Sequence, residues 1–109
     1  MINCIKAKLT DRVTINTKMI AMCPVTNTID NYSVTIEYKP NCEDPEGCQY
    51  IELKSLREYL DSFRDRLIYH EDLINELLKT IQETCDPDEL RIVLNSEYMG
   101  MRYTIELNA

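Results

Sequence analysis

Ser33-Val34-Thr35-Ile36-Glu37-Tyr38-Lys39-Pro40 decides how this chain is read. Val34, Ile36 and Tyr38 alternate with Ser33, Thr35, Glu37 and Lys39, so one face of an extended segment is apolar. Pro40 has no amide hydrogen to donate and stops the strand. Upstream, Val13, Ile15 and Thr17 alternate with Thr14, Asn16 and Lys18 in a strand predicted to run to about Ala21. The two strands form a hairpin with a wide connection, Met22 to Asn31, that holds Cys23, Pro24 and Asp30. Met1 to Leu9 reads as a frayed lead-in or a half-strand.

Downstream, Asn41 to Gly47 is a polar loop punctuated by Pro45 and Gly47. Leu53, Leu56, Leu60, Phe63 and Leu67 then recur at steps of three and four, which predicts a helix with one apolar face. Leu73, Ile74, Leu77, Leu78 and Ile81 predict a second helix from about His70 to Thr84, stopped at Asp86-Pro87-Asp88. Arg91 to Asn95 is a short strand, Tyr98 to Gly100 a turn, and Met101 to Leu107 a last alternating strand. The order is ββ-αα-ββ. A four-stranded antiparallel sheet with both helices on one face buries every apolar stripe at once, which is an α+β fold.

Size and charge limit the options. The chain has 109 residues and a formal charge of −7, with 44% hydrophobic residues. That is one domain, spanning 1–109, with open sheet edges for which oligomerisation is the expected cover. The acidic balance argues against a general nucleic-acid binder, though a local basic patch is compatible with it. Met1 to Leu9 lacks the apolar core of a secretion signal and no apolar run is long enough to span a membrane, so a cytoplasmic protein is expected. Five cysteines are an odd number; in a cytosol most are expected to be free thiols. Cys42 and Cys48 flank the polar loop, either as two thiols or as a disulfide. With no CxxC and one histidine, no metal site is expected.

The chemistry-bearing residues each have a plain reading. Cys23 is a nucleophile if its thiol is activated, and a buried structural cysteine otherwise. Asp30 beside Asn31 is a common turn pairing. His70 and Glu71 open a helix, where a cap and a dipole-complementing carboxylate are ordinary. Glu71 acquires a function only if it points into a pocket, where a carboxylate accepts two hydrogen bonds from a guanine-like edge.

Several separated stretches resemble one family, in order and at similar spacing. They are Cys23-Pro24-Val25-Thr26, Asp30, Ile36-Glu37-Tyr38-Lys39-Pro40, Glu52 to Leu60, Ser62-Phe63-Arg64 and Tyr69-His70-Glu71-Asp72. The set resembles the QueF family, nitrile reductases of 7-cyano-7-deazaguanine with the tunnelling fold. The resemblance implies that Cys23 attacks the nitrile carbon to form a covalent thioimide and that Asp30 is the proton donor. It implies substrate contacts from Ile51, Glu52, Leu53, Tyr69, His70 and Glu71, with Glu71 gripping the deazaguanine edge. It also implies an oligomeric barrel, a decamer of two pentamers, with active sites between subunits.

The chain departs from the reductases in one region. Their Glu-Ser-Lys-Ser-Leu-Lys-x-Tyr segment belongs to the NADPH site; here Leu53 replaces the small hydroxyl residue and Arg57 the second lysine. Asn27-Thr28-Ile29 replaces their Gly-Gln-Pro, Met99-Gly100 stands where an arginine-glycine pair is usual, and the chain ends just after the last strand, without their C-terminal extension. A covalent apparatus kept beside a degraded hydride site is similar to the archaeal QueF-like amidinotransferases. These convert 7-cyano-7-deazaguanine in tRNA to archaeosine, with ammonia as co-substrate and no cofactor. The expected partner is then tRNA, with Lys54, Arg57, Arg64 and Arg66 as possible contacts. The alternatives are an NADPH-dependent reductase of queuosine biosynthesis and a non-catalytic binder of purine-like ligands.

Overall fold

A computed structural model describes all residues, 1–109. The predicted strands and helices form as β2 (Val13–Met22), β3 (Ile29–Lys39), α1 (Leu53–Asp61), α2 (His70–Cys85), β5 (Glu89–Tyr98) and β6 (Met101–Asn108). Two short strands join them, β1 (Cys4–Ala7) and β4 (Cys48–Ile51). The main sheet is antiparallel in the order β2-β3-β5-β6, and β1 pairs with β4 as a separate two-stranded sheet. The expected α+β architecture is present, with this small sheet added.

Both helices pack on one face of the main sheet. Tyr32, Val34, Ile36 and Tyr38 of β3 and Leu90, Ile92 and Leu94 of β5 join Leu56, Leu60, Leu73, Leu77 and Ile81 in one core. The opposite face is polar. There Arg12 and Arg91 both pair with Glu37, and Arg91 also with Glu106. Period-two alternation explains the difference between the faces.

α1 is shorter than the apolar stripe suggested. It ends at Asp61, and Ser62 caps it by donating its amide to the Glu58 and Tyr59 carbonyls. Phe63 still reaches the core, fully buried from the turn, whereas Leu67 is 59% exposed. Truncating Phe63 to Ala would cost about 3–5 kcal/mol. Periodicity carried past the end of the helix because the following loop continues to cover the same core.

The small sheet closes the end of the molecule away from the β2–β3 connection. Asn41, just past β3, bridges to Gln49 of β4. A side chain at Gly47 would place its Cβ 2.9 Å from the Ala7 carbonyl oxygen, so β1 can lie against this loop only because of that glycine. Two disulfides secure the same end: Cys4–Cys85 ties β1 to the last residue of α2, and Cys42–Cys48 closes the polar loop. The expectation of mostly free thiols is thereby corrected, because the fold brings four cysteines together in pairs. Cys23 alone stays free. No helix is long and apolar enough to cross a membrane.

Candidate active site around Cys23

The main sheet forks at one end. The β3–β5 ladder stops at Ser33 opposite Asn95. β2 and β3 stay paired as far as Met22 opposite Ile29, and β5 and β6 as far as Tyr98 opposite Met101. Beyond Ser33 the two hairpins separate, leaving a cleft of about 660 Å³. Cys23, Thr26 and Asp30 line it from one prong, Ser96, Met101 and Tyr103 from the other, and His70 and Glu71 from the start of α2.

Each wall is fixed locally. The Met22 amide donates to the Arg66 carbonyl at 2.8 Å, and the Ile68 amide to the Met22 carbonyl at 3.1 Å. The segment between the helices thus holds the base of the Cys23 loop. The loop closes on itself, with the Cys23 amide donating to Thr28 and the Asn27 amide to Cys23, both at 2.8 Å. Asn27 takes a left-handed φ of 57°, which asparagine tolerates better than most residues. Asp30 was expected in the connection. It instead lies in β3, paired with Ala21, because the strand begins at Ile29. On the opposite prong, Met99 and Gly100 both take positive φ, 49° and 79°, as a tight two-residue hairpin requires.

The electrostatics favour a reactive sulfur. The Thr26 hydroxyl, with the Thr26 and Val25 amides, lowers the Cys23 thiol below its ordinary value, while the Asp30 carboxylate opposes this by repulsion. Across the cleft, Tyr103 donates its hydroxyl to Glu71 Oε2, and this bond lowers the Glu71 carboxyl. The Tyr103 ring also stacks, tilted, on His70 with centroids 4.8 Å apart. His70 Nδ1 is hydrogen-bonded to the Tyr32 hydroxyl at 2.7 Å. A thiol, a carboxylate and a histidine-glutamate pair around an aromatic-walled cleft suit covalent chemistry on a flat base.

Of the expected site residues, Cys23, Asp30, His70 and Glu71 come together. Tyr69 stands just outside the lining, 52% exposed, where it ends the loop before α2. Ile51, Glu52 and Leu53 do not reach the cleft of the same chain. Ile51 is buried and pairs with Cys4. Glu52 caps α1, accepting from the Lys54 and Ser55 amides at 2.7 and 2.8 Å. Leu53 is 62% exposed. They lie toward the other end of the helix-bearing face, where the Ile51 amide donates to the Tyr38 hydroxyl of β3 at 3.0 Å. Among the expected cations, Arg66 is held by Glu76, Lys54 lies 4.0 Å from Glu58, and Arg57 is bound to Asp61, Thr17 and the Lys18 carbonyl. Arg64 alone of the four has no acidic partner within 4.0 Å. No cluster of residues suited to a metal is present.

Sequence reasoning missed Tyr32, Tyr103, Met101 and Ser96. Tyr32 is hidden in the apolar alternation of β3, and the β6 residues read as one more strand. Their place in the site depends on the fork, for which the only local signal is the run of polar residues Asn95-Ser96-Glu97.

Known proteins are similar to this chain in sequence and in fold. The family model described as "QueF-like protein" matches residues 30–109, a stretch that begins at Asp30 and leaves Cys23 just before it. An archaeosine synthase of Pyrobaculum calidifontis is 27% identical over 85% of this chain and 80% of its own length. NADPH-dependent 7-cyano-7-deazaguanine reductases of Nitratiruptor sp. and Wolinella succinogenes are 34% and 33% identical. This chain spans 60% and 63% of those two reductases. The crystal structure of an apo QueF-like archaeosine synthase superposes with a TM-score of 0.82 over 94% of this chain and 96% of that one, at 24% identity, and so has the same fold. With the family model covering most of the sequence and the cleft residues in place, this chain belongs to the QueF-like family.

Proposed function

We propose that this protein is an amidinotransferase that converts 7-cyano-7-deazaguanine in tRNA to archaeosine. The observation that carries this choice within the family is the state of Arg57. It stands where the resemblance puts a lysine of the reductases' NADPH segment, yet its guanidinium is spent on Asp61, Thr17 and the Lys18 carbonyl. A cation satisfied by a carboxylate, a hydroxyl and a carbonyl has little left for a dinucleotide phosphate. The neighbouring Leu53 offers no hydroxyl there and is exposed.

On this reading Asp30 takes the Cys23 thiol proton, the thiolate adds to the nitrile carbon, and Asp30 returns that proton to the nitrile nitrogen. Ammonia then adds to the thioimide carbon, one of its protons moves to the former nitrile nitrogen, and the thiolate leaves an amidinium. Splitting the addition into two steps replaces one difficult attack with two easier ones. Glu71 holds the base by its N–H edge. Ile51, Glu52 and Leu53 meet the base from a neighbouring copy, since they cannot reach it within one chain. The unpaired edges of β2 and β6 give such an assembly its strand contacts.

Intact-protein mass spectrometry tests the reading. Incubation with 7-cyano-7-deazaguanine adds the mass of the base to the protein and adds nothing to Cys23→Ala. Ammonium then releases the adduct and NADPH does not. Release as an amine by NADPH would make the protein a reductase. No adduct under conditions where the base binds would leave a binding protein only.

A further inference from the structure

Tyr32 shares the helix-bearing face of β3 with Val34, Ile36 and Tyr38 and is 2% exposed. A phenylalanine would fill that place in the core, so the hydroxyl needs an explanation of its own. Its hydrogen-bond partner is Nδ1 of His70, 2.7 Å away, and His70 is the single histidine of the chain. Two rings fix the imidazole. Tyr32 meets it edge-on with centroids 5.5 Å apart, and Tyr103 lies tilted against it at 4.8 Å. The Tyr32 hydroxyl has one proton to place, and a buried donor without an acceptor is costly. Nδ1 is the acceptor within reach, so Tyr32 donates and Nδ1 accepts. An Nδ1 that accepts carries no proton, and a neutral imidazole then holds its proton on Nε2.

We infer that Tyr32 is a positioning residue that fixes the tautomer of His70, so that an Nε2–H donor faces the cleft and reads a carbonyl oxygen on the bound base. The contact to the base rests on the function proposed above; the tautomer does not. A guanine-like edge carries a carbonyl oxygen beside a ring N–H and an amino group. Glu71 accepts from the two N–H groups, but a carboxylate has nothing to donate to the carbonyl. His70 is the next residue along and lines the same cleft, so it can supply that donor. With the proton on Nδ1 instead, Nε2 would turn a lone pair toward the carbonyl oxygen, and two acceptors would repel. Tyr32 thereby selects, through His70, a base with a carbonyl at this position over one with an amino group.

The test uses the full-length protein with ¹⁵N-labelled histidine. A single histidine gives a single pair of ring nitrogen resonances, read by NMR at about pH 8.5, where an ordinary imidazole is neutral. The parent is expected to carry its proton on Nε2, with the Nδ1 resonance displaced by the hydrogen bond it accepts. Tyr32→Phe keeps the buried ring and is expected to return Nδ1 to the position of an unbonded imidazole nitrogen. A proton on Nδ1 in the parent overturns the inference, and that reading needs no variant. An Nδ1 resonance that Tyr32→Phe leaves unmoved overturns it too. Affinity for 7-cyano-7-deazaguanine is then measured on a Cys23→Ala background. Tyr32→Phe is expected to weaken it roughly tenfold, and to weaken it no further once His70→Ala is present. An unchanged affinity, or a second tenfold loss on top of His70→Ala, overturns the contact to the base. If the parent forms no adduct at Cys23 with this base, the proposed function fails while the tautomer can still be read. If the adduct forms and Nδ1 carries the proton, only the present inference fails.

Discussion

Replacing Cys4 and Cys85 together by alanine should cost far more stability than replacing Cys42 and Cys48. The Cys4–Cys85 bond closes a sequence separation of 81 residues, and the Cys42–Cys48 bond one of 6. A cross-link stabilises mainly by restricting the unfolded chain, and the restriction grows with the logarithm of the loop. For the long loop this gives about 4.5 kcal/mol at 25 °C, and for the short loop about 2.2 kcal/mol. In a domain of this size those values correspond to about 20 °C and about 10 °C in melting temperature. The assay is urea unfolding of parent and both double variants, at one protein concentration so that assembly does not confound the comparison. Adduct formation at Cys23 at 25 °C should be unchanged in both variants, because the disulfides sit at the end of the molecule away from the fork. If the Cys4/Cys85 variant is no less stable than the Cys42/Cys48 variant, loop-closure entropy is not what these bonds contribute.

Other consequences are open to direct measurement. Alkylation of Cys23 by iodoacetamide should reach half its maximal rate at a pH below that of an ordinary thiol, since the lowered pKa keeps thiolate present to lower pH. Thr26→Val should move that midpoint up and Asp30→Asn should move it down, and a midpoint indifferent to both would remove these groups as its cause. Tyr103→Phe takes away the bond that lowers the Glu71 carboxyl, so Glu71 should titrate higher and base affinity on the Cys23→Ala background should fall by about tenfold, in line with the roughly 1.5 kcal/mol of a hydrogen bond to a charged group. Asp86 ends α2 in the left-handed region at φ 43°, so Asp86→Gly should stabilise the protein by about 1 kcal/mol in urea unfolding; the Asn41 contact survives because it uses the Asp86 carbonyl.

The apolar alternation of β2, β3 and β6 and the helical spacing of Leu73 to Ile81 were legible because burial on one face writes its period into the sequence. β1 was legible only as the half-strand alternative for Met1 to Leu9 and β4 was not, because each has only four residues and their partners are far apart in the chain. The end of α1 was misjudged because Phe63 keeps the helical spacing while sitting in a turn. The disulfides depend on where α2 ends relative to β1, a tertiary fact that cysteine spacing does not contain. Within the site, Cys23, Asp30, His70 and Glu71 were recoverable through a resemblance. Taken alone, each had an ordinary structural reading. Tyr32 and Tyr103 belong to strands whose periodicity explains them fully, so their second role emerges only where the ladder between β3 and β5 stops.

The charge of −7 bears on how such a cleft meets a polyanion. Half of the 12 cations the sequence offers are already committed. Lys6, Arg12, Lys54, Arg57, Arg66 and Arg91 each have a carboxylate within 4.0 Å. Lys18 and Arg102 have none, and they line a groove of about 760 Å³ on the polar face of the sheet. That groove shares Ser96 and Arg102 with the Cys23 cleft, so the fork opens to both faces. Glu97 lines it too, which keeps its local charge only slightly positive. A surface of this kind supplies few phosphate contacts, and phosphate contacts are what make binding to nucleic acid strong and salt-dependent. On the proposed reading, recognition therefore rests on the base held between Glu71 and Cys23 more than on the backbone. An assembly that repeats the few free cations around a ring would supply the remainder by multivalency.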